Sequence, residues 1–149
     1  MAKRINDALN MGFDTSAIPK SVKDDYTRMA RILRVVDGDT VVFLSDEGDG
    51  EYQLGNLRLY GTDTPEKDGA TKTAGKKATE FTRSKVENKY VRITTVKNNN
   101  SEKFGRFLAK VEYDEAGVLK DLSEELIKAG LAVRYMGDKK NQSSFVEKP

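Results

Sequence analysis

The chain contains no cysteine, no histidine and no tryptophan. Without cysteine there is no disulfide and no thiolate nucleophile. Without histidine the common zinc ligand sets and the histidine-based acid–base triads fall away together. No stretch approaches the roughly 18 to 20 apolar residues of a membrane span. The start, MAKRINDALNMGF, is basic but has no apolar segment of signal-peptide type. The expectation is therefore a chain that stays in the cytoplasm, a secreted form requiring processing of a precursor. A strong charge of either sign is also missing: 26 Lys+Arg stand against 24 Asp+Glu, for a formal charge of +2. Any affinity for nucleic acid must then come from local clustering. Chemistry, if there is any, falls to carboxylates, lysine, arginine, tyrosine and hydroxyls. A metal would have to be a hard cation held by oxygen, namely Ca²⁺, Mg²⁺ or Mn²⁺.

What is present fits one soluble domain, since 149 residues with 37% hydrophobic content suffice for a single core. Residues 1–29 are polar and weakly periodic and read as an N-terminal extension of unknown role. Residues 30–137 read as the folded domain and 138–149 as a polar tail. From Arg31, RILRVV and TVVFLS form the arms of a hairpin, with Asp37-Gly38 supplying positive φ for a tight primed turn. EYQLGNLRLYGT continues the β pattern. The acidic DEGDGE before it lacks the spacing and closing Glu of an EF-hand loop, which leaves a solvated turn. Residues 74–88 have a helical stripe of Ala74, Ala78 and Phe81. YVRITTV and RFLAKVEY are strands, the second presenting Phe107, Ala109, Val111 and Tyr113 on one face. DLSEELIKAG is a short helix with Asp121 as cap, Glu124 in the capping-box position and Gly130 as terminator, and LAVRYMG follows it. Five strands with a helix after the third predict an α+β, mainly β fold: a five-stranded OB-type Greek-key barrel with two or three helices.

Three short stretches carry more chemistry than structure requires. Asp39 follows the Asp37-Gly38 turn, which does not need it; an ordinary solvated hairpin would explain it too. In RLYGTDTPE, Thr64, Pro65 and Glu66 resemble a helix start. The same stretch sets Asp63 and Glu66 three residues apart with Arg58 close behind. Strict alternation puts Arg58 and Asp63 on opposite faces, so a shared site needs a bulge, and Gly61 is the place for it. In EKFGR, Lys103 and Arg106 are either a solubilising pair or anion ligands. Taken together, two or three acids for a hard cation and two arginines for non-bridging oxygens make a set suited to a phosphodiester.

These stretches, DGDT, RLYGTDTPE and KFGR in that order with LIKAGLAVRY after them, resemble the staphylococcal nuclease (thermonuclease) family across about Arg31 to Tyr135. The resemblance implies Ca²⁺ held by Asp39, Asp63 and the backbone carbonyl of Thr64. It implies Glu66 as the group acting on the attacking water, Arg58 as the clamp on the scissile phosphate and Arg106 as partner of the developing charge. Tyr135 would meet the nucleotide base and Lys103 a terminal phosphate. Phe104 stands where the family has tyrosine, keeping a ring and losing a hydroxyl donor. The segment from Glu66 to Phe81 is shorter than the archetype's, with Lys67, Lys72, Lys76 and Lys77 in place of its lysine-rich loop, and the family's last helix is largely absent.

The expectation is a Ca²⁺-dependent endonuclease of DNA and RNA, single strands favoured, leaving 3′-phosphates. It would work as a monomer with no membrane and no obligate protein partner. The alternative is a catalytically inactive OB-fold module that binds nucleic acid or protein. A retired domain of that kind should have lost some of Asp39, Arg58, Asp63, Glu66 and Arg106, and all five are present.

Overall fold

A computed structural model describes residues 26–66, 71–96 and 107–135. In chain order these form β1 (Thr27–Asp37), β2 (Thr40–Asp46), β3 (Tyr52–Leu59), β4 (Gly61–Asp63), α1 (Lys72–Val86), β5 (Tyr90–Thr95), β6 (Phe107–Glu115), β7 (Val118–Asp121), α2 (Leu122–Lys128) and β8 (Val133–Tyr135). The strands β3-β2-β1-β5-β6 run antiparallel side by side, and a parallel pairing of β3 with β6 closes them into a five-stranded mixed barrel. The protein is thus a mainly β, α+β molecule of OB type.

Alternation along the strands explains the closure. Ile32 and Val35 of β1, Val41 and Phe43 of β2, Leu57 and Leu59 of β3, Ile93 of β5, and Ala109 and Val111 of β6 all point inward and are buried. The intervening residues face out. Helix α1 adds Ala78 and Val86 to this core, and α2 adds Leu122 and Leu126. Among the described residues no helix is long and apolar enough to cross a membrane.

Several local expectations are met. Asp121 caps α2, its Oδ1 accepting from the backbone N–H of Ser123 at 2.9 Å and of Glu124 at 3.3 Å, and Gly130 follows the helix at φ +75°. The Glu124 side chain binds Arg134 at 3.0 Å instead of completing a capping box. DEGDGE is an exposed turn in which Asp46 and Asp49 each accept a backbone N–H two residues on, and Gly48 and Gly50 take positive φ.

Other expectations need correction. Strand β1 starts at Thr27, four residues before the hydrophobic pattern begins at Arg31. Its first turn of strand is anchored by polar contacts: Thr27 to Thr94 through their hydroxyls at 2.8 Å, and Arg28 Nε to Glu47 at 2.8 Å. Helix α1 runs Lys72–Val86, two residues earlier at each end than the expected 74–88, and Thr64–Glu66, which resemble a helix start, are not helical; Thr71 precedes the helix and gives its hydroxyl to the Glu66 carbonyl at 3.0 Å. The buried face of α1 is Gly75, Ala78, Thr79, Thr82 and Val86, whereas Ala74 and Phe81 lie at its margin. A hairpin unforeseen from the pattern joins β6 to β7 through Ala116 and Gly117, both at positive φ.

The turn between β1 and β2 differs in its cause. Gly38 does not take positive φ. A Cβ there would lie 2.8 Å from the Ala78 Cβ and 3.1 Å from the Ala78 carbonyl carbon. Its own carbonyl accepts the Thr82 hydroxyl at 2.7 Å. Glycine is thus required because α1 lies directly on the turn, not because of backbone handedness.

Candidate active site

The β1–β2 turn and the end of β3 meet through Arg58. Thr40, the first residue of β2, pairs with Arg58 in register, so Asp39 stands just beyond the pair at the rim of the sheet. Its backbone carbonyl accepts the Leu59 N–H at 2.9 Å, which fixes the Asp39 main chain against the end of β3. Gly61 then turns the chain at φ +87°. This break permits what strict alternation forbids: Arg58 Nη2 reaches Asp63 Oδ1 at 2.8 Å and Asp39 Oδ2 at 3.4 Å.

The arrangement is held from several sides. Arg58 Nη1 donates to the carbonyls of Leu59 and Thr62, each at 3.3 Å, so the guanidinium ties together the backbone on both sides of Gly61. Asp39 Oδ2 also accepts the Thr64 N–H at 3.2 Å, and Asp39 Oδ1 accepts the Thr40 hydroxyl at 3.1 Å. Asp39, Asp63 and Thr64 are all buried, Asp63 to 1% exposure. Two carboxylates around one guanidinium leave the trio with one excess negative charge. In a buried setting each partner depends on the others, and removing one member of such a pair costs about 3–5 kcal/mol.

A short ladder brings in Tyr135. β4 pairs with β8 so that Gly61 faces Tyr135 and Asp63 faces Val133, and the Thr62 hydroxyl donates to the Val133 carbonyl at 3.2 Å. The Arg58 Cζ consequently lies 5.3 Å from the centroid of the Tyr135 ring, a cation–π distance. Glu66 is exposed, three residues beyond Asp63 along the chain. Lys103, Phe104, Arg106 and Lys67 lie outside the described residues. Lys72, Lys76 and Lys77 are exposed on α1.

The structure therefore brings Asp39, Arg58, Asp63, Thr64 and Tyr135 into one place. Two of its contacts were not read from the pattern. One is the simultaneous engagement of both aspartates by Arg58; the other is the stacking of Arg58 against Tyr135. The signal for the second was the separation of two three-residue strands by some seventy positions, which periodicity does not register. Among the described residues no group of three or more acids gathers as a ready-made metal cage. Two carboxylates converging on a common point, with neither nitrogen nor sulfur ligands beside them, nevertheless suit a hard cation in kind.

Comparison with known proteins agrees with the fold. A family model described as staphylococcal nuclease homologue matches residues 56–147. The chain is 35% identical over 105 residues to the thermonuclease of Staphylococcus hyicus, covering 68% of this chain and 56% of that protein. It is 32% identical over 138 residues to an uncharacterized protein of Methanocaldococcus jannaschii, covering 78% and 63% of the two chains. It is also 28% identical over 145 residues to a Yarrowia lipolytica protein named "Probable endonuclease LCL3", covering 83% and 62%. The chain thus spans less than two thirds of the length of each of these relatives.

Proposed function

Because the chain belongs to the staphylococcal nuclease family, we propose that it hydrolyses the phosphodiester bonds of nucleic acids as a Ca²⁺-dependent endonuclease acting on DNA and RNA. The observation that carries the reading is the convergence of Asp39 and Asp63 on the guanidinium of Arg58 at the rim of the barrel. A purely structural ion pair needs one carboxylate; two around one arginine, beside a tyrosine face, make a site with both a cation-binding and an anion-binding half.

Asp39, Asp63 and the carbonyl of Thr64 would hold the ion. When bound, it supplies positive charge against a phosphate oxygen. Arg58 exchanges a carboxylate for two non-bridging phosphate oxygens, its planar fork matching them as it matches carboxylates. Glu66, exposed and therefore within reach of solvent, orients water and takes its proton as the water oxygen attacks phosphorus. The bond from phosphorus to the 5′-oxygen breaks, and Arg106 meets the charge that develops there. Protonation of the 5′-oxygen from solvent leaves a 3′-phosphate and a 5′-hydroxyl. Tyr135 offers its ring to a base, Phe104 adds apolar contact and Lys103 meets a terminal phosphate. The working unit is the barrel through about residue 137, acting as a monomer on single-stranded substrates, with the N-terminal residues and the tail from 138 outside it.

The test is a cleavage assay on single-stranded DNA and RNA with Ca²⁺, with Mg²⁺ and with excess chelator, alongside Arg58→Ala and Arg58→Lys. Calcium-dependent cutting lost in both variants supports the reading, since lysine restores charge but not the fork. Absence of cutting by the unaltered protein, with oligonucleotide binding retained, would make the barrel a binding module instead.

A further inference from the structure

The outward face of β1, β2, β3 and β5 continues the candidate site without interruption. Pairing in register lays out side chains in rows across these strands. The first row is Arg58 beside Thr40. The second is Asn56, Val42 and Arg34; the third is Leu54, Leu44, Arg31 and Tyr90. Tyr52 follows Leu54 on β3. Because side chains two apart share a face, Arg58, Asn56, Leu54 and Tyr52 form one column down β3, about 20 Å long at about 3.4 Å per residue.

This face is unusual in composition for an outer barrel wall. Tyr52, Leu54 and Tyr90 are 65, 61 and 69% exposed. The Arg31 guanidinium lies over the Tyr90 ring at 5.6 Å, which presents a flat cationic and aromatic surface to solvent. Rows two and three contain two arginines and no carboxylate, and Arg34 has no ion-pair partner among the described residues. The acids at its two ends are engaged: Asp39 and Asp63 by Arg58, and Asp46, opposite Tyr52, by the Gly48 N–H at 2.8 Å.

We propose that this face is a binding track for single-stranded nucleic acid leading to Arg58, with Arg31 and Arg34 meeting phosphates and Tyr52, Leu54 and the Arg31–Tyr90 pair meeting bases. The proposal rests on the phosphodiesterase reading for its direction. Continuity with Arg58 and the excess of positive charge favour a polyanion. Exposed rings and aliphatic side chains on a sheet favour unpaired bases, whose faces are free to stack. A length of about 20 Å suits the low end of the roughly 4 to 16 nucleotides that OB-type barrels engage. A duplex would offer this face only phosphates and leave the rings without partners.

The experiment uses the full chain and two readouts. Binding of a labelled 12-nucleotide single strand is followed by fluorescence anisotropy in chelator, for the unaltered protein and for Arg31→Ala, Tyr52→Ser and Leu54→Ser. Hydrolysis of a nitrophenyl phosphodiester of one nucleoside, too short to touch the track, is measured with Ca²⁺. The expected result is Kd about tenfold weaker in each variant. Arg31→Ala should also lower the slope of log Kd against log salt by about 0.7. Turnover of the small diester should be unchanged. Equal Kd in all four proteins would overturn the track. So would a dimer in sedimentation that Leu54→Ser dissociates with oligonucleotide affinity intact, since the face would then belong to a second copy of the chain. An unaltered protein that does not turn over the small diester defeats the nuclease reading alone, and the binding arm still decides the track. Should Leu54→Ser melt early, Arg31→Ala, at an exposed position, carries the test.

Discussion

Two acidic, glycine-containing turns lie at opposite ends of β2, and they behave in opposite ways. The β2–β3 turn, residues 46–51, is exposed; its aspartates bond only to the turn's own backbone, its glycines take positive φ, and a Cβ at Gly48 or Gly50 would meet nothing within 4 Å. The β1–β2 turn is buried. Gly38 there has ordinary φ but no room for a Cβ, and Asp39 bonds to its neighbour Thr40 and to Thr64 and Arg58 from distant parts of the chain. Similar composition thus yields a solvated loop in one case and a charged, immobilised site in the other. What separates them is whether other elements cover the turn: α1 and the Thr62–Thr64 segment lie on the β1–β2 turn, whereas the β2–β3 turn is touched from outside at its margin, by Arg28 on Glu47.

The contrast can be broken most forcefully at the acids. Asp39→Ala should weaken Ca²⁺ binding and lower cleavage by orders of magnitude, whereas Asp49→Ala should change neither; calorimetric titration and a cleavage assay read both, and equal effects would remove the distinction. The glycines come next. Gly38→Ala should destabilise by about 1–3 kcal/mol through overpacking against Ala78. Gly48→Ala should cost about 1 kcal/mol, from backbone conformation alone. Urea denaturation distinguishes them, and only Gly38→Ala should disturb the site.

The same rule can be sharpened at the far end of β6. Tyr113 is buried with its hydroxyl unpartnered, and burial, reinforced by Glu115 and Glu125, pushes its pKa up to about 12. Its folded value exceeds its unfolded value of about 10, so this group's contribution is complete below pH 10 and is lost as pH rises toward 12. Absorbance at 295 nm should show one tyrosine ionising late. Tyr113→Phe should be neutral or stabilising, since it removes an unsatisfied polar atom, and it should remove that late step.

Glu115 gives the smallest effect. Hydrogen bonds from Lys85 and Lys120 hold its pKa down at about 2. Its contribution is present above the ordinary carboxylate value and disappears as pH falls from about 4.5 toward 2. The melting temperatures of the unaltered protein and Glu115→Gln should therefore converge only in that acid window, by a small amount because the pair is in solvent.

Much of the barrel was legible because alternation is a local signal. The β1–β2 arms, the inward Ala109, Val111 and Tyr113 of β6, the Asp121 cap and the Gly130 stop each depend on residues a few positions apart. The need for a break at Gly61 could likewise be inferred from the parity of Arg58 and Asp63. The reason for Gly38 could not, since it lies in Ala78 and Thr82, forty positions later. The start of the helix at Lys72 was legible to within two residues, but the role of Thr64-Pro65-Glu66 could not be read, because it has the chemistry of a cap and is used instead to bring the Thr64 N–H to Asp39. The early start of β1 was hidden by polar residues whose partners are distant in sequence, Thr94 on β5 and Glu47 in the β2–β3 turn.

The parallel pairing of β3 with β6 joins Leu57 to Phe107, fifty positions apart (107 − 57), and Arg58 sits within that seam opposite Leu108. Closing so long a loop is entropically expensive and is rewarded only when the neighbouring strands are already aligned. The seam therefore belongs to the late stage of folding, after the local β1–β2–β3 meander. A chain with its hairpins formed and its barrel still open has Asp39 and Arg58 in register but lacks the β6 support beside them. Closure then adds the Leu108 backbone beside a charged group whose members, from Asp39 to Thr64, the local meander already carries, so the seam braces the site instead of assembling it.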